Sequence, residues 1–161
     1  MLHLLACVFC LALLGSTQVV GKDKDETHMT YPSKVEGSKG KEREKLFTAW
    51  MSSDVLRTYT DEKRAKGEQI IYFEYDNARS QTRAIYTSKL KLKGPYSRWS
   101  YTNEKDMDAK LNSEIKLGLQ PAFIVCNTSG AYTMLLVSPE DMDAVRAELK
   151  VLGVGEPKLR K

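Results

Sequence analysis

The segment that most constrains this chain is Ala122-Phe-Ile-Val-Cys126, the polar turn Asn127-Thr-Ser-Gly130, and Ala131-Tyr-Thr-Met-Leu-Leu-Val137. Two short apolar runs rich in β-branched and aromatic residues, joined by turn formers, predict a hairpin of two largely buried strands. The residues that follow predict a helix to cover them. Ser138-Pro139-Glu140-Asp141 opens it, with Ser138 as N-cap, proline at the first helical position and acidic side chains in the positive first turn. Met142, Val145, Leu149 and Leu152 then form one apolar stripe, and Gly153 stops the helix.

Upstream, similar signals recur. Phe47, Trp50, Met51, Val55 and Tyr59 fall at three- and four-residue steps and predict a helix over 41–58, with the Trp50 and Met51 stripe as core. Gln69 to Tyr75 predicts a strand, and Asp76-Asn77-Ala78-Arg79-Ser80 a turn. Thr82 to Lys93 alternates, with Ala84, Tyr86, Leu90 and Leu92 on one face and Arg83, Ile85, Lys89, Lys91 and Lys93 on the other. Gly94-Pro95 ends that strand, Tyr96 to Tyr101 predicts a third, and Asn103 to Leu117 a helix with Met107, Leu111 and Ile115 in register. The result is a single α+β domain over 41–154. Its antiparallel sheet has four or five strands in two groups, packed by three helices in the order α-β-β-(β)-α-β-β-α. Asp106-Met-Asp-Ala109 and Asp141-Met-Asp-Ala144 echo one another, as a duplicated ββα unit or two converged helix openings would.

The chain ends read differently. Leu4 to Leu14 is an eleven-residue apolar run, followed by a more polar stretch to Gly21. This predicts a signal peptide over 1–21, cleaved after Gly21, although its n-region lacks Lys and Arg. The run falls well short of the ~20 residues that span a bilayer. The expectation is therefore a secreted, extracellular protein with no membrane span. Cleavage leaves 140 of the 161 residues to carry all 46 charged side chains, one in three. Residues 22–40 mix both signs of charge with few apolar groups and predict a flexible tail; 155–161 predict a short basic one.

Cleavage also removes Cys7, Cys10 and His3, leaving one cysteine, Cys126, and one histidine, His28 in the tail. No intramolecular disulfide can then form, and Cys126 is either a small buried hydrophobe or a free thiol able to link two copies. Nucleophile–histidine catalysis and histidine- or thiolate-based metal sites lack their residues. Gly37-Ser-Lys-Gly-Lys41 lacks the spacing and the Ser or Thr of a phosphate loop. Neither metal nor cofactor is expected. The acidic candidates Glu68, Glu74, Asp76 and the two Asp-Met-Asp segments read as helix-dipole or ion-pair partners.

The functional candidate is the lysine row. On a strand, Lys89, Lys91 and Lys93 would stand on one face ~7 Å apart, extended by Arg83 and near Arg98, Tyr96, Trp99 and Tyr101. Such a row suits acidic glycans, acidic proteins or an anionic mineral surface. A secreted protein with net charge +4 is a poor candidate for nucleic acid. Asn127-Thr-Ser129 matches the N-glycosylation acceptor pattern in a predicted turn. The function expected is non-enzymatic: an extracellular binding or matrix component, with a mineralised matrix among the options. The alternatives are a secreted hydrolase using carboxylate or lysine catalysis and a carrier of a small apolar ligand.

Overall fold

The computed structural model describes residues 29–31 and 33–159. The expected signal peptide, its cleavage point, His28 and residues 22–28 of the expected tail lie outside them. The fold is α+β. Its elements are β1 (Met29–Tyr31), α1 (Gly40–Glu44), α2 (Ser53–Ala65), β2 (Gln69–Asp76), β3 (Gln81–Thr87), β4 (Tyr96–Tyr101), α3 (Glu104–Lys116), β5 (Gln120–Cys126), β6 (Tyr132–Val137), α4 (Met142–Val151) and β7 (Lys158–Leu159).

The hairpin that dominates the sequence is the centre of the molecule. β5 and β6 pair antiparallel, with Phe123 opposite Leu135 and Ile124 opposite Met134, and β4 adds to the other side of β6, giving the order β4-β6-β5. Alternate side chains sort into two cores. Phe123, Val125, Leu135 and Val137 join the larger one with β2, β3 and α4; Ile124, Met134 and Leu136 join Met107, Leu111 and Leu119 beneath α3. Burial on both faces explains why these strands read as continuous apolar runs. β2 and β3 form their own two-stranded sheet. It meets the larger sheet through Tyr72 and Phe73, whose rings lie 5.0 and 5.7 Å from that of Phe123.

Three expectations change. The helix expected over 41–58 is interrupted: α1 ends at Glu44, and Thr48 to Met51 run extended along the outer edge of β3. Thr48 N–H donates to Ala84 O at 2.9 Å, while Met51 and Thr82 exchange both backbone bonds at 2.9 and 2.8 Å. An open strand edge takes this segment in preference to helix, since tertiary pairing overrides local periodicity. Consequently Val55, read as core, is exposed on α2, and Leu56 is buried instead.

The strand expected over 82–93 stops at Thr87. The chain ends are also tied together. β1 pairs with β7, Val35 bridges Val154, Glu36 N–H donates to Gly153 O at 2.8 Å, and Gly155 N–H donates to Lys34 O at 2.9 Å. Residues 33–40 and 155–159 thus belong to the fold, contrary to the tail boundaries read from composition. The charged side chains of Lys34, Glu36, Glu156 and Lys158 are exposed.

The two Asp-Met-Asp segments serve different ends. Met107 and Met142 are both buried, but in different cores. Asp106 is exposed, with its N–H capped by the Asn103 side chain at 2.8 Å, whereas Asp141 is buried and binds a separate segment of chain.

Candidate anion-binding strap

Beyond Thr87 the chain runs without secondary structure to Tyr96, along the flank of α4. Alternation persists here even without a strand partner. Lys89, Lys91 and Lys93 are exposed, Leu90 is buried and Leu92 half-buried against the larger core. Full burial of a leucine side chain contributes about 1.5–3 kcal/mol, so Leu90 is the apolar pin of this strap.

Polar contacts fix both ends. Thr87 Oγ1 accepts from Lys89 N–H at 3.2 Å and donates to Glu148 Oε2 on α4 at 3.4 Å. At the far end stands Asp141, which is 4% exposed. Its Oδ1 accepts from Lys93 N–H at 3.0 Å, and its Oδ2 accepts from Gly94 N–H and the Ser138 hydroxyl, each at 2.9 Å. Ser138 N–H then donates to Pro95 O at 3.0 Å. Burial alone would raise the Asp141 carboxyl; the amides of Gly94 and Lys93 and the Ser138 hydroxyl outweigh it and hold it below the usual carboxylate range. Ser138, expected as a helix cap, makes no side-chain cap bond and orients Asp141 instead.

The strap therefore presents three ammonium groups from a pinned backbone, alternate residues of an extended chain lying ~7 Å apart. Among the described residues, none of the three reaches a carboxylate within ion-pair distance.

The two arginines expected beside them do not join the row. Arg83 lies across from Glu74 in the β2–β3 register and is bound by it, Nη2 at 2.7 Å and Nε at 3.0 Å from Oε2. Glu44 takes Nη1, and the Phe47 and Trp50 rings lie 4.0 and 4.7 Å from the guanidinium. Burial opposes its charge, but Glu44 and Glu74 overcome that and strengthen its hold on the proton. Its side chain is 16% exposed, so Arg83 is an internal ion-pair centre and no part of an anion-contacting face. Glu74, the acidic oddity of its strand, is the partner that holds it. Arg98 is half-buried on β4 and donates to Thr60 Oγ1 at 3.3 Å, and Thr60 in turn bonds the Tyr86 hydroxyl at 2.7 Å. Trp99 points to the other face, with Lys110 stacked on it at 3.9 Å.

Asn127 carries the β5–β6 turn. Its Oδ1 accepts from Ser129 N–H and Ala131 N–H, each at 3.0 Å, and its Nδ2, the atom that would bear a glycan, donates to Tyr75 O. Cys126 is half-buried at the end of β5 and is a free thiol, its Sγ 3.8 Å from Asn127 O.

Among the described residues, no group of three or more His, Cys, Asp or Glu is placed to hold a metal ion, and no helix is long and apolar enough to cross a membrane. α3 and α4 pack directly on the sheets, and a cleft of about 620 Å³ lies beside α4, lined also by Ala122 of β5 and by residues of the 34–36 and 153–156 segments. A scan against protein-family models, a search of curated proteins and a search of solved structures each return no match.

What sequence reasoning missed are the anchors Thr87 and Asp141. The available signal was Asp141 three residues after Ser138, a spacing that suits a helix opening equally well.

Proposed function

We propose that this is a small secreted, non-enzymatic protein that binds anionic extracellular material through Lys89, Lys91 and Lys93. The observation that carries this reading is the pinned strap. Three cations that reach no carboxylate of the described residues within ion-pair distance stand on a backbone held by Leu90 on one side and Asp141 at the end. Rigid presentation lowers the ordering cost of binding, and the attraction of several like charges to a polyanion adds while remaining sensitive to salt. Sulfated glycans, acidic matrix proteins and an anionic mineral face share this chemistry, and a matrix role, mineralised or not, follows from that class of partner. The extracellular assignment rests on the apolar run Leu4 to Leu14 and its polar flank.

The hydrolase alternative requires two carboxylates converging with separated proton affinities. Glu44 and Glu74 do converge, but on the Arg83 guanidinium, an ion-pair arrangement that favours the binding role. The test is retention on immobilised heparin against a salt gradient. The triple variant Lys89→Gln, Lys91→Gln, Lys93→Gln elutes at clearly lower salt if the reading holds, and elution with the parent protein rejects it. Non-reducing electrophoresis of the same material shows whether Cys126 links two copies.

A further inference from the structure

The sheet edges are treated unequally. The outer edge of β3 takes Thr48 and Met51. That of β5 takes Ser33, which bonds Ile124 through its backbone N–H and, at 3.2 Å, its hydroxyl. The carbonyls of Phe73 and Tyr75 on β2 accept from the Thr133 hydroxyl and the Asn127 amide. β4 has β6 on one side, and on the other no bond from a described residue meets its backbone. Its register with β6 is unbroken over all six residues, and it contains neither proline nor bulge. Natural sheets protect such an edge or use it as a template for another strand.

We propose that β4 pairs antiparallel with β4 of a second copy, about a two-fold axis at Trp99. A symmetric antiparallel pair sets one residue opposite itself, and two such registers keep a ladder of five residues. Centring on Arg98 places guanidinium opposite guanidinium, which is destabilising. Centring on Trp99 places Ser97 opposite the partner's Tyr101, Arg98 opposite the partner's Ser100, and the two indoles side by side, so that no two like charges stand directly opposite on the ladder. Among the described residues Trp99 is also one of five large hydrophobic side chains left exposed, at 37%, and the pairing covers part of it. The joined sheet has six strands in the order β5-β6-β4-β4-β6-β5. Because Lys93 lies just before β4, the two lysine straps stand at opposite ends of the seam, which makes the assembly bivalent toward a polyanion. The dimer itself does not depend on the anion-binding reading.

Sedimentation velocity of the chain under reducing conditions tests the pairing. A dimer is expected that dissociates on Trp99→Lys, which sets two ammonium groups opposite each other, while circular dichroism of that variant stays that of the parent. A monomer at ~100 μM, or a dimer unaffected by Trp99→Lys, overturns the proposal. If Trp99→Lys loses the fold, single cysteines in a Cys126→Ser background decide instead. Trp99→Cys cross-links with itself under mild oxidant and Ser100→Cys does not. Cross-linking of Ser100→Cys alone, or of neither, refutes the register.

Discussion

Replacing Asp141 tests whether the lysine strap is pinned as described. Asp141→Ala removes an ionised acceptor from three donors, the N–H groups of Lys93 and Gly94 and the Ser138 hydroxyl. A hydrogen bond to a charged group contributes about 1.5–3 kcal/mol, and a donor left unpaired in the interior costs about 1–3 kcal/mol. The strap amides lie near the surface and regain water once the segment lifts, so a total loss of about 3 kcal/mol is expected. With a urea dependence of ~1–3 kcal/mol/M for a domain of this size, the unfolding midpoint falls by about 1–3 M. Asp141→Asn keeps one acceptor and loses roughly half as much. The sign with pH follows from the lowered carboxyl: this stability is fully present above the ordinary carboxylate pKa and drains away as pH falls through the lower folded value. The Asn variant therefore shows a flatter acid limb than the parent in urea melts taken from pH 6 down to pH 2. Hydrogen exchange should show loss of protection at the Lys93 and Gly94 amides. A change of under ~0.5 kcal/mol on Asp141→Ala, with Lys93 still protected, would refute the clamp.

Other expectations follow from individual contacts. Arg83→Met keeps an apolar stem beside Phe47 and Trp50 but leaves Glu44 and Glu74 facing each other. A loss of about 2–3 kcal/mol in chemical denaturation is expected, below the ~3–5 kcal/mol typical of fully buried pairs because Glu44 is exposed. Gly94→Ala places a methyl 2.5 Å from Ser138 Cβ and 2.8 Å from Glu140 Oε1. It should cost ~1–3 kcal/mol and loosen the strap in hydrogen exchange, whereas Gly37→Ala, which meets open space, should be nearly neutral. Asn127→Asp removes the donor to Tyr75 O and abolishes the acceptor pattern at once; about 1–3 kcal/mol lost in unglycosylated protein would identify the side chain's turn role.

The hairpin over 122–137, the helix after it and the strand over 69–75 were legible because each pattern is local and each is used locally. Phe47, Trp50 and Met51 were not. Their helical spacing is real, but the free edge of β3 claims them as extended chain, and nothing within residues 41–58 encodes that edge. The lysine row shows the same limit from the other side. Alternation of Lys and Leu correctly reports which side chains face water, yet it is silent on whether the backbone has a strand partner. Here Asp141, lying 48 residues downstream of Lys93, replaces the missing ladder. Arg83 misled for a related reason: its place on the lysine face by parity says nothing of Glu74 and Glu44, which meet it only in the folded chain.

If the strap binds anions as proposed, binding depends on the arrangement of Lys89, Lys91 and Lys93 and not on net charge. That dependence is tested most directly by titrating a sulfated glycan into the parent, the triple Lys→Gln strap variant, and a control with Lys66, Lys105 and Lys116 changed to Gln. Those three are also exposed, and the change removes the same charge. The plot of log Kd against log salt should lose about 2–3 units of slope in the strap variant, by the counterion arithmetic of roughly 0.7–0.9 per cation–anion contact, and keep its slope in the control. Equal losses in both variants, or none in either, would rule out anion binding through the lysine row.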